Sequence, residues 1–388
     1  MKTPAVSTSL GALIGAAIGF YPGQLPRGGL LAGVVVAACV GLGTFVGLLI
    51  ARTIDGGSAR ARRWTLVIAA GVFGVIVGGA AWWQASLRDA LGVASTGPVW
   101  AVLAGLPAVV TFGVIALWPR LVAWTLALVG TIVVGYLSPG LAGATPQAAS
   151  GTTGAEVAFF GALDSGRPIE QRAHDVVSRW VVEGGLTRRA VVVAVPTGSG
   201  WIDTAAVDGF RIRLGNDVPV LGLQYADVPS WRAFISDRDA AGRAAIALVA
   251  EVDSAMRDVE PDNRPKLVLY GQSLGALGAD VARVWAAEHG IDVAQTIEIG
   301  VPGDSIPRRA AGRTVLANAS DPVAQWSPNL LWRPARMTDD TAIIGRHSHR
   351  TPWLPIVSFL QTSVDLLGAL DVPAGTGHRY GLEQGTTS

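Results

Sequence analysis

The feature that most constrains this chain is where its charges are missing. The full sequence has 388 residues, and only 15% are charged, against roughly 25% in an ordinary soluble domain. The deficit lies almost wholly in residues 1–140, while 151–388 carry charge at a normal density. An uncharged stretch of that length cannot bury itself as the core of a small water-soluble domain. It can pair its backbone polar groups in helices and face lipid. The two parts of the chain are therefore expected to fold in different solvents: a membrane-spanning helical domain at 1–140, a linker at 141–155, and a globular domain at 156–388.

A span needs about 20 mostly apolar residues. Five segments qualify as candidates: 6–21, 29–51, 65–85, 98–118 and 121–138. The first is short, and a cleaved signal peptide competes with it because Lys2 precedes an apolar run. The loop at 51–64 holds Arg52, Arg60, Arg62 and Arg63 against Asp55 alone. Basic loops remain cytoplasmic, so the chain after 140 is expected on the extracytoplasmic side of the cell membrane. No span has an ionisable residue at its centre, which argues against a transporter or proton pump. Small residues at Gly71, Gly74, Gly78 and Gly79 suggest close helix contacts. The bundle then reads as an anchor, with the lipid bilayer as its partner.

Net charge is +1, and no basic run interleaved with aromatic residues appears, so nucleic acid is excluded as a partner. The one cysteine, Cys39, lies in a span; it allows no intrachain disulfide and no zinc cluster.

Beyond 155, short apolar runs alternate with amphipathic segments. The runs are 157–161, 190–195, 218–223, 266–270, 296–300 and 313–317. Continuous apolar runs of this length suit parallel strands covered on both faces. Ile169, Ala173, Val176 and Trp180 share one helical face, as do Ala245, Val249, Val252 and Met256. Strand–helix alternation predicts a doubly wound, mostly parallel sheet.

The run at 266–270 leads into Gly271-Gln272-Ser273-Leu274-Gly275, and a helix is expected from about 275 to 288. Strand, G-x-S-x-G and helix in succession is the context of a nucleophile elbow, in which a sharp turn lifts a serine hydroxyl to the carboxyl edge of the sheet. Ser273 is the candidate nucleophile. A serine needs a base, and the base an orienting carboxylate. In this arrangement the chain order is serine, acid, histidine. His378, in a Gly-rich loop near the chain end, is the preferred base over His347 and His349. Asp321, just past 313–317 and before Pro322, is the preferred acid over Asp304. The oxyanion donors are expected from the N–H of Leu274 and from Thr197 or Gly198, in the loop after 190–195.

The stretches PTGSGW at 196–201, QYADVPSW at 224–231, LYGQSLGALG at 269–278, ASDPVAQWSPNLLW at 319–332 and VPAGTGHRYG at 372–381 resemble a family of actinobacterial membrane-anchored α/β-hydrolases, with a multi-span N-terminal domain and a catalytic domain. PGQLPRGGLLAG at 22–33 is similar to that family's N-terminal signature. The resemblance implies a Ser–Asp–His triad at Ser273, Asp321 and His378. The chain departs from the family at Gln272, where a glutamate is expected, and in the short stretch between Ser273 and Asp321.

The chemistry these residues suit is two-step acyl transfer on an ester through an acyl-enzyme, with neither metal nor cofactor required. A lipid or acylated envelope ester is the substrate class suggested by anchoring and apolar character. Trp201, Trp231, Trp326, Trp332 and Trp353, with the apolar segment 353–369, suit either an acyl groove and membrane contact or simple packing. An acyltransferase and an inactive scaffold remain the alternatives.

Overall fold

The computed structural model describes residues 3–54, 57–117, 159–228, 237–345 and 351–387. The chain forms two compact units. One is Met1–Gln147 with Ser348–Gly368; the other is Ala148–His347 with Ala369–Ser388.

In the first unit, α1 (Val6–Gly19), α2 (Gly29–Thr53), α3 (Ala59–Leu91) and α4 (Val99–Leu117) follow in order. The helices beginning at Gly29, Ala59 and Val99 are each long and apolar enough to cross a membrane, while Val6–Gly19 is shorter. The fifth candidate, 121–138, lies outside the described residues. Backbones approach closely where glycines recur every fourth position. A Cβ at Gly11 would lie 2.1 Å from the Gly43 carbonyl oxygen, and one at Gly15 would lie 2.2 Å from that of Cys39. A Cβ at Gly33 would lie 2.3 Å from the Leu103 oxygen. This is small-residue packing between helices, and it joins α2 to both α1 and α4. The expected contacts at Gly71, Gly74, Gly78 and Gly79 are not found: no described atom lies within 4 Å of a Cβ built there.

The turn at 22–28 is a polar hub within this unit. Buried Arg27 pairs with buried Asp365 at 2.9 Å. Its guanidinium also donates to the Gln361 side chain and backbone oxygen. Its own N–H donates to Gln84 Oε1 at 2.8 Å. The C-terminal helix Val357–Leu366 thereby packs into the first unit, although it follows most of the second in sequence.

The second unit is built on seven parallel strands in the order β1-β3-β2-β4-β5-β6-β7. They are β1 (Phe159–Gly161), β2 (Ala190–Val195), β3 (Val220–Leu223), β4 (Lys266–Gln272), β5 (Gln295–Ile299), β6 (Arg313–Asn318) and β7 (Thr341–Ile344). Val191, Val193, Leu267 and Leu269 meet the helices α5 (Ile169–Val182), α7 (Ala240–Met256) and α8 (Leu274–Glu288) on one face. Val192, Ala194, Val268 and Tyr270 meet α6 (Thr204–Leu214) and Tyr380 on the other. Six apolar runs read from the sequence correspond to β1–β6. The edge strand β7 is partly exposed and only four residues long, so it carries no periodic signal. The doubly wound parallel sheet is the α/β-hydrolase architecture expected for this half.

Candidate active site

Central strand β4 ends at Gln272, and helix α8 begins at Leu274. Between them Ser273 adopts φ 57° and ψ −122°, a region that costs a non-glycine residue on the order of 1–3 kcal/mol. The turn is possible because the residues two positions to either side, Gly271 and Gly275, have no side chains. A Cβ at Gly271 would lie 2.1 Å from the Gly275 oxygen, and one at Gly275 would lie 2.3 Å from the Val195 oxygen at the end of β2. A hydrogen bond from Ser273 N–H to the Ile299 oxygen, at 2.9 Å, fixes the elbow to β5. Leu274 opens the helix, and its N–H has no acceptor within the helix.

The candidate acid and base meet across 57 residues of sequence: His378 Nδ1 lies 2.8 Å from Asp321 Oδ2. Both side chains are buried. A carboxylate only accepts, so Nδ1 carries the proton and Nε2 is left as the acceptor. Nε2 is buried and has no hydrogen-bond partner among the described residues; no bond joins it to Ser273 Oγ. The other oxygen of Asp321, Oδ1, accepts from Val323 N–H at 2.8 Å and caps the short helix Pro322–Gln325.

The loop bearing His378 is held by side chains from neighbouring strands. Asn318 Nδ2 donates to the oxygens of Gly377 and Arg379 at 3.0 and 3.1 Å. Ser320 Oγ accepts from Gly377 N–H at 2.9 Å. Gln272 Nε2 donates to the His378 oxygen at 3.2 Å. This last bond gives a reason for glutamine in the elbow, because a glutamate there would have to keep a proton to make it. Tyr380 donates its hydroxyl to Asp321 Oδ2. Gly300, at φ 54°, lies against the acid–base pair: a Cβ there would stand 2.6 Å from His378 Cε1 and 2.8 Å from Asp321 Oδ2.

Gly300, Asn318, Ser320 and Tyr380 were not among the residues singled out from sequence. The one local signal was in plain view: a glycine closing the run beside the elbow strand.

The rival acid Asp304 is engaged elsewhere, accepting from Ser327 Oγ and Asn329 Nδ2, each at 2.8 Å. Burial pushes its carboxyl up, but those bonds and nearby Arg333 outweigh it, and the net shift is downward. His347, His349 and Trp231 lie outside the described residues. Trp332 is exposed. In the loop after β2, Thr197 N–H already donates to the Trp201 oxygen at 2.9 Å, and the Gly198 oxygen accepts from Val228 N–H at 3.2 Å. The hydroxyl of Thr197 lies 3.2 Å from Ser199 Oγ.

A strained serine between strand and helix, with an acid–histidine pair on later loops of a parallel sheet, defines the α/β-hydrolase class. The chain matches a family described as "Alpha/beta-hydrolase family" over residues 157–314 and 305–386. It also matches "Alpha/beta-hydrolase family N-terminus" over 20–195. It belongs to this α/β-hydrolase family. Among solved structures it is similar to Trichoderma reesei cutinase in complex with a C11Y4 phosphonate inhibitor. That likeness is at 14% identity with a TM-score of 0.28, covering 61% of this chain and 96% of the cutinase. No curated protein matches.

Proposed function

We propose that this protein is a membrane-anchored serine esterase that cleaves an acyl ester on the extracytoplasmic side. The reading is carried by one observation: a buried histidine, bonded to a carboxylate through Nδ1 at 2.8 Å, keeps a buried Nε2 without a partner in the same site as a serine of strained backbone. Ser273 attacks the ester carbonyl while its proton passes to His378 Nε2. Asp321 holds the ring in the required tautomer and stabilises the imidazolium. The oxyanion is met by Leu274 N–H, at the positive end of α8, and by a donor from the 197–198 loop. Collapse of the intermediate passes the proton from His378 to the leaving alcohol. Water, deprotonated by the same nitrogen, then releases the acid.

Membrane anchoring is supported by the three long apolar helices, and the orientation by the arginine-rich loop between the second and third of the five spans proposed from sequence. A lipid or acylated envelope ester suits an enzyme held at a bilayer. The test is labelling of the full chain in detergent with a fluorophosphonate. Label is expected in the native chain and absent in Ser273→Ala; equal labelling of both would overturn the assignment. Rates on short- and long-chain esters then test the substrate class, and a preference for the shortest chains would count against a lipid. Product analysis with added alcohols separates hydrolysis from acyl transfer.

A further inference from the structure

The mechanism above needs three side chains, yet a fourth ionisable group is bonded to the acid. Asp321 Oδ2 accepts from two donors at once, His378 Nδ1 and the Tyr380 hydroxyl. The phenol in turn accepts from Asn318 N–H at 3.3 Å, so the group is oriented from the β6 side. Its ring stands edge-on to the imidazole, 5.7 Å between centroids at 85°. Tyr380 is fully enclosed in the core beneath the sheet. We propose that Tyr380 is a positioning residue of this site, whose hydrogen bond withdraws charge from the one carboxylate oxygen that the base uses and thereby sets how readily His378 releases its proton.

The inference rests on the esterase reading above. Its physical basis is the shared oxygen. A carboxylate oxygen that accepts a second hydrogen bond holds less negative charge for the first. It stabilises a neighbouring imidazolium less, so the imidazole stays neutral and basic to lower pH. Tyr380 can act as a donor throughout the working range, because burial and then the negative charge of Asp321 push its hydroxyl well above its ordinary value. The other ionisable groups facing it are Tyr270 on β4 and, beyond Tyr270, Asp203 at the start of α6. Tyr270 donates to Gln384 Oε1 at 2.7 Å, and Gln384 Nε2 donates to Asp203 at 2.8 Å. That second chain is closed on itself and leaves Tyr380 as the phenol bonded to the acid.

The experiment compares two replacements of opposite sign in the full chain. Tyr380→Phe removes the donor and keeps the ring. A fluorinated tyrosine at 380 keeps the hydroxyl and makes it a stronger donor. Phenylalanine is expected to move the acid limb of the kcat/KM profile upward by about 0.5–1 pH unit, a loss of about three- to tenfold in rate well below the limb. The fluorinated residue is expected to move it downward. A purely structural role for Tyr380 would lower the whole profile without displacing the limb, and an unmoved limb in both variants would overturn the proposal. NMR titration of the His378 imidazole in the same variants reads the same shift without turnover. If the native chain fails to label at Ser273, the esterase reading is lost, while the imidazole titration still decides the role of Tyr380.

Discussion

Gly300→Ala puts the tightest constraint on this site to an experimental test. An added Cβ would sit 2.6 Å from His378 Cε1 and 2.9 Å from Nδ1. Ordinary contact begins near 3.4 Å, so about 0.8 Å must be found somewhere. The imidazole is the moving part: Gly300 N–H is bonded to the Leu316 oxygen and so fixed to β6. A displacement approaching 1 Å at a reacting group costs about 10²-fold in rate. The backbone adds its own term, since φ is 54° at Gly300 and a side chain in that region costs roughly 1–2 kcal/mol. That alone lowers Tm by about 2–8 °C for a domain of this size. Gly312→Ala separates the two effects. Gly312 also has positive φ, at 75°, but nothing lies within 4 Å of its Cβ. Both variants should lose the backbone term and Gly300→Ala somewhat more through its contacts, while only Gly300→Ala should lose about 10²-fold in the rate of fluorophosphonate labelling and of ester turnover. Equal labelling rates for the two variants would show that Gly300 does not govern where the imidazole stands.

Three further outcomes follow from buried polar groups. Asn318→Asp replaces the amide that donates to Gly377 and Arg379 by an acceptor facing two carbonyls; it should loosen the loop and cut labelling at least tenfold, with faster amide exchange at 375–380 as the independent measure. Asp365→Ala leaves Arg27 buried and unpaired, a change worth about 3–5 kcal/mol, whereas the double variant Arg27→Met/Asp365→Leu should lose much less; melting of the full chain in detergent checks the order. Glu298 lies buried on β5 with its Oε2 3.9 Å from Arg313 Nη1, and burial, then the charge of Asp280, pushes its carboxyl up to about 9 against the opposing pull of Arg313 and Arg283. The unfolded chain ionises this group above its ordinary value of 4.5 while the folded one keeps the proton, so stability falls as pH rises from about 4.5 to 9. Glu298→Gln should flatten that part of the Tm–pH curve and raise Tm at pH 8; an unchanged slope would refute the assignment.

What could be read in the sequence divides by the range of the interactions involved. Strands β1–β6 announce themselves through local apolar runs, and the elbow through glycines two residues either side of Ser273. Asp321 and His378 were reachable because chain order in this fold is a topological rule. Their partners were not. Tyr380 matters through an oxygen 59 residues away, and Gly300 through a ring that arrives from the chain terminus. The helix Val357–Leu366 has an apolar pattern that suits the sheet, lipid or another helix equally well. Its place in the first unit is selected by Arg27, 338 residues earlier. Periodicity records that a face must be buried but not against what, and polar networks leave no periodic trace at all.

The site is held by more bonds than its chemistry alone requires. A serine held in strained backbone opposes folding, by about 1–3 kcal/mol. The bonds around the histidine loop, from Asn318, Ser320 and Gln272, are of the size needed to offset that, at about 0.5–1.5 kcal/mol each. They act on the backbone of 377–379 and not on the imidazole Nε2, so they fix the ring's origin while leaving its reactive edge unsatisfied. An unsatisfied acceptor held in place is what a general base must be before substrate arrives. It follows that Ser320→Ala, which removes the acceptor of Gly377 N–H and leaves Ser273 untouched, should slow fluorophosphonate labelling. An unchanged labelling rate in that variant would show that the bond to Gly377 does not hold the imidazole in its place.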